Sequence, residues 1–169
     1  LYSGRGVDAW EWVTGKWPQL RRSLLLRIQA VRIESQYMLG RAALAASLDQ
    51  RWSTGECRRL IKRAIGCARR LRREGARWAA PLAALLEAGV AITRGDAARA
   101  ARDLERAEQG FDEANMALHA AVARRRRGEI VGGEPGAALI DAANSWMHAR
   151  DIVRPDGIVD MLAPGRFAR

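Results

Sequence analysis

The sequence predicts an all-α fold: a solenoid of antiparallel helix pairs, with about three repeats and a short C-terminal helix. Three observations predict it. Apolar residues recur three and four apart through most of the chain. No alternating period-two stretch of useful length appears, so strands are not supported. Glycine followed by an acid recurs at Gly55-Glu56, Gly95-Asp96 and Gly133-Glu134, separated by 40 and then 38 residues.

The first long pattern runs from Gln19 to Ser47, behind Pro18, a residue that favours helix starts. Leu20, Leu24, Ile28, Val31, Met38, Ala42 and Ala45 form one stripe, and Leu25, Leu26, Ile33, Tyr37, Leu44 and Leu48 widen it. This helix is expected to be contacted from two sides. Upstream, residues 1–17 carry Trp10, Trp12 and Trp17 and read as the end of a preceding helix or repeat. The chain opens Leu-Tyr-Ser-Gly without Met or an apolar leader, so a piece of a longer protein is expected. Residues 18–165 form the single repeat domain and residues 166–169 a tail.

The second helix spans about Gly55 to Glu74 on the stripe Cys57, Leu60, Ile61, Ala64, Ile65, Ala68 and Leu71, with Gly75 placed to stop it. Trp78 to Thr93 is a third, tolerating Pro81 only because it lies in the first turn. Asp96 is a suitable N-cap for a fourth helix, Ala97 to Glu113, whose inward face is Ala100, Leu104, Ala107 and Phe111. Asn115 suits the left-handed position at its end. Met116 to Val131 is a fifth, closed by Gly132-Gly133. A sixth opens at Pro135 and runs to about Arg150 with Leu139, Ile140, Ala143, Trp146 and Met147 apolar. Pro155 begins a last short helix through Ile158, Met161 and Leu162, stopped by Pro164-Gly165.

Five, nine and twelve residues past the three glycines stand Leu60, Ala64 and Cys67; Ala100, Leu104 and Ala107; and Ala138, Ala142 and Ser145. Small residues at fixed points let stacked pairs approach closely. The unit around Gly95, Asp96, Ala100, Leu104 and Ala107, with small Ala88 before it, resembles the tetratricopeptide repeat. Ala84 and Glu87 replace the aromatic and leucine of that pattern, and the period exceeds its usual length of about 34. Gly55 and Gly133 mark the flanking units.

A second resemblance covers residues 74–165. It is carried by Trp78-Ala79-Ala80-Pro81-Leu82, Gly95-Asp96, Phe111, Asn115-Met116-Ala117-Leu118, Arg124 to Glu129, Gly132-Gly133, Trp146-Met147 and Met161 to Gly165. The run is similar to the C-terminal part of large multidomain bacterial serine/threonine protein kinases. That resemblance implies a regulatory region of a cytoplasmic signalling protein. Kinase catalysis would belong to another part of the parent, since no kinase motif occurs in these residues.

The chain of 169 residues holds 29 Lys+Arg and 19 Asp+Glu. All of the excess lies in residues 1–75, with 16 basic and six acidic residues, whereas residues 76–169 balance. Such asymmetry raises the question of an acidic partner. Its sharpest expression is the helix 55–74, where Arg58, Arg59, Lys62, Arg63, Arg69, Arg70, Arg72 and Arg73 lie opposite the apolar stripe. Those cations are a candidate docking surface for an acidic polypeptide; nucleic acid or an anionic membrane is the rival partner. A merely solvated face is the plain alternative. No aromatics interleave, so stacking of single-stranded bases is not supported.

Arg124 to Arg127 cannot form one flat patch, because successive helical residues point about 100° apart. At least one is expected on the packed side, where its aliphatic stem can lie along apolar surface. His119 and His148 fall on different helices, and Cys57 and Cys67 are about 15 Å apart along one helix, so no metal or disulfide spacing exists. No phosphate loop or nucleophile–base pair is found. The expectation is a binding module with no catalytic residue and no cofactor, partnered by a protein or peptide that belongs to the parent chain or another.

Overall fold

The computed structural model describes residues 1–167 and is all-helical. Among the described residues eight α-helices follow one another: α1 (Gly6–Arg22), α2 (Gln29–Ala46), α3 (Thr54–Arg72), α4 (Ala79–Thr93), α5 (Ala97–Glu113), α6 (Ala117–Val131), α7 (Gly133–His148) and α8 (Pro155–Leu162). Each of α1 to α7 packs against its neighbours in sequence, α2 also meets α4, and α8 folds back onto α6. This is a solenoid-like array of the pairs α2–α3, α4–α5 and α6–α7.

The helix predicted over 19–47 is broken. Residues 19–22 finish α1, with Pro18 inside it, and Leu24–Arg27 form a separate 3-10 turn before α2 begins. Ser23 and Ile28 are extended and make the corner. The Ser23 hydroxyl oxygen accepts the Leu25 N–H at 3.4 Å, so a polar side chain starts a new turn where apolar spacing alone continues the old one. Helix α1 is a packed element rather than a fragment: Val7 and Val13 are buried, Trp10 and Trp17 pack on the core, and only Trp12 stands out in solvent.

The start of α3 also differs. Gly55 lies inside its first turn, not at a junction, because Ser53 is the N-cap. Ser53 Oγ accepts the Glu56 N–H, while the Glu56 carboxylate accepts the Ser53 N–H at 2.9 Å. At α5 the expectation holds: Asp96 accepts the Arg99 N–H at 3.0 Å, and Gly95 supplies the left-handed φ of +83° that the turn needs. Asn115 likewise takes φ +57°. Gly133 opens α7 with Gly132 as its cap.

Ala100, Leu104, Ala107 and Phe111 are fully buried, as are Ala64 and Cys67. Ala138, Ala142 and Ser145, their counterparts in the third unit, are exposed. Those positions face the next pair in a stack, and α7 is followed only by the short α8, which packs mainly on α6. Helix α4 is the centre of the molecule, with Leu82 to Leu86 and Ala88 to Ala91 all buried.

Candidate functional site

The inner side of the array is where the first helices of the pairs, α2, α4 and α6, are expected to present a groove. It is closed by the chain's own C-terminal segment. The Tyr37 hydroxyl donates to the Leu162 carbonyl at 2.7 Å, Arg41 to Met161 at 3.1 Å, and Arg126 Nε to Ala163 at 3.0 Å. A Cβ on Gly89 would collide with the Pro164 carbonyl and lie 2.6 Å from Leu44 Cδ2, so the missing side chain makes room for the segment. Two of the first helices, α2 and α6, thus hold three successive carbonyls at the C-terminal end of α8, and α4 makes room for Pro164 just after it. Phe167, in the predicted tail, packs on the core beneath the Arg126 guanidinium, whose Cζ lies 4.4 Å from the ring centroid. Ala168 and Arg169 lie outside the described residues.

Arg126 is the buried arginine that the run at 124–127 leads one to expect, at 4% exposure. It pairs with Glu129 and Asp160, both at 2.7 Å. Its neighbours are also neutralised. Arg124 and Arg127 pair with Glu108 on α5 at 2.7 and 2.9 Å, and Arg125 bonds Asn144 at 2.9 Å and pairs with Asp156. Four cations on successive faces of α6 therefore bridge α5, α7 and α8.

Beside this network His119 sits between the rings of Phe111 and Tyr37, with centroids 5.1 and 6.3 Å away. Burial, aided by Arg41, pushes its pKa down to about 4, so the imidazole is neutral at physiological pH. His148 is exposed at the end of α7. Burial likewise raises the Cys67 thiol to about 11. Among the described residues no group of three or more His, Cys, Asp and Glu side chains is placed to hold a metal ion.

The arginines of α3 present the opposite picture. Arg58, Arg59, Lys62, Arg69, Arg70 and Arg73 are exposed and Arg63 is half-buried, in a stripe along about four turns. Among the described residues none of the seven forms an ion pair. Only Arg70 has a polar side-chain partner, Gln36 Oε1 at 3.5 Å. Arg72, on the flank, is instead tied to Glu87 of α4. The predicted docking set is thus one continuous face, with Arg72 withdrawn from it. Sequence reasoning missed Tyr37, Arg41 and Gly89, whose roles depend on a segment more than 70 residues away, and no local signal marks them.

No helix among the described residues is long and apolar enough to cross a membrane. No family model, no curated protein and no solved structure matches the chain.

Proposed function

We propose that this chain is a non-catalytic interaction module that docks an acidic polypeptide segment on the outer face of α3. The observation that supports it is the contrast between two arginine-rich helices. On α6 every arginine of the run is ion-paired with a carboxylate, whereas among the described residues none of the seven cations on the α3 face lies within 4 Å of one. Like charges four apart, as in Arg58/Lys62, Arg59/Arg63 and Arg69/Arg73, destabilise a helix by a few tenths of a kcal/mol per pair. An acidic segment laid along α3 removes that repulsion and is drawn in by the field of the whole stripe, which raises the encounter rate most.

The stacked pairs support a tetratricopeptide-like description. The resemblance over residues 74–165 supports placement at the regulatory C-terminal end of a larger bacterial signalling protein in the cytoplasm, with a serine/threonine kinase as parent. There the module would scaffold a partner or another part of its own chain.

The test is binding of a labelled glutamate-rich peptide by fluorescence anisotropy. Wild-type protein is expected to bind and to weaken as salt rises from about 0.05 to about 0.2 M. The variant Arg59→Glu/Arg63→Glu/Arg70→Glu is expected to bind at least about tenfold more weakly, a loss of roughly 1.4 kcal/mol. Equal binding by the variant sinks the proposal. Tighter binding of duplex DNA than of the peptide moves the assignment to a nucleic-acid adaptor.

A further inference from the structure

The corner between α1 and α2 carries three neighbouring exposed apolar side chains. Leu24, Leu25 and Ile28 are 68, 50 and 53% exposed, on the 3-10 turn between the two helices and its C-cap. Arg21, Arg22 and Arg27 stand exposed around them. A flexible loop would fold such residues inward, but this corner is braced. The Arg32 guanidinium donates to the Leu26 and Arg27 carbonyls at 3.1 and 3.2 Å and holds Glu74 with two bonds of 2.7 and 2.8 Å. Gln29 donates to the Glu74 carbonyl at 2.6 Å, and Ile28 N–H closes the turn on Leu25. The brace ties the turn to the end of α3, next to exposed Arg73.

We infer that this corner is a lipid-contact wedge that docks the protein reversibly on an anionic membrane surface. Charge complementarity selects that occupant, through the exposed Arg21, Arg22 and Arg27 beside the apolar side chains. A second copy related by a two-fold axis would bring both sets of arginines together, an arrangement that like-charge repulsion opposes. Apolar side chains with a cationic rim at the same level fit the boundary between headgroups and acyl chains. Each arginine near such a surface multiplies partitioning by about fivefold. This site is separate from the stripe on α3 and does not rest on the function proposed for it.

The experiment is co-sedimentation of the whole chain with phosphatidylcholine vesicles, alone or with about one-third phosphatidylserine. Binding is expected to the anionic vesicles only and to fall with salt. Leu24→Ser/Leu25→Ser/Ile28→Ser is expected to lower it at least about tenfold with helicity unchanged by circular dichroism, because the three side chains are exposed. If that variant loses helicity, Leu24→Ser alone, at the most exposed position, gives the same reading with a smaller fall. Absence of binding to anionic vesicles overturns the wedge. So does binding that the serine changes leave intact, or a wild-type dimer that they convert to monomer, which would make the corner a self-association surface.

Discussion

At the residue scale, two buried ionisable groups carry the most weight. His119 is held neutral on folding, with its pKa at about 4 against about 6.5 when unfolded. The unfolded chain therefore binds the extra proton between those values. Stability falls as pH drops from about 6.5 towards 4, by up to about 3 kcal/mol, and the loss from this group levels off below that. In His119→Leu the unfolding free energy should lose most of its slope in that window, measured by urea titrations at several pH values. An unchanged slope would show that His119 is not its source. Arg126 is the second group. Arg126→Met leaves Glu129, itself largely buried, with only the more distant Arg125 at 3.6 Å and removes the donor to Ala163. A loss of about 3 kcal/mol is expected by chemical denaturation. A loss under about 1 kcal/mol would mean that solvent or Arg125 takes over the carboxylate.

At the element scale, the C-terminal segment is the feature whose position matters most. Helix α8 is short, yet Val159, Leu162 and Ala163 are buried, and the end of α8 with the residues just after it touches all three first helices. Gly89→Ala places a methyl against the Pro164 carbonyl, a backbone atom that cannot step aside cheaply. Overpacking of this kind costs about 1–3 kcal/mol. Amide exchange at residues 162–165 should speed up at least about tenfold while α5 stays protected; exchange unchanged in this segment would show that it is not seated on Gly89.

The same contrast explains what the sequence discloses. Elements whose boundaries are set locally are legible: Asp96 caps α5, Asn115 turns the chain, and the stripe through Ala100, Leu104, Ala107 and Phe111 names its buried face. The corner at Ser23–Ile28 is not legible, because leucines continue the helical spacing across it and only the hydroxyl of Ser23 marks the break. The start of α3 was hidden by Gly55, which looks like a junction but sits behind a stronger signal, the Ser53–Glu56 pair. Among the candidate-site residues the cations of α3 can be read directly from sequence, since a polar face opposite an apolar stripe is a one-helix property. That Arg72 leaves the set for Glu87, and that Arg124 to Arg127 are spent on carboxylates, needs the tertiary fold.

At the scale of the whole molecule, charge and shape divide the labour. The second half of the chain balances its charges, and the arginine run on its α6 is locked in ion pairs, while the first half exposes a stripe on α3. The first helices α2, α4 and α6 are covered by residues 161–164, and the docking proposed for this chain uses the outer face of α3 instead. The most direct test is a backbone amide chemical-shift map of the whole chain titrated with a glutamate-rich peptide. The largest shifts are expected along 58–73, with Tyr37, Gly89 and Arg126 unmoved. Shifts centred on those three, with residues 155–167 released into solvent, would contradict docking on α3.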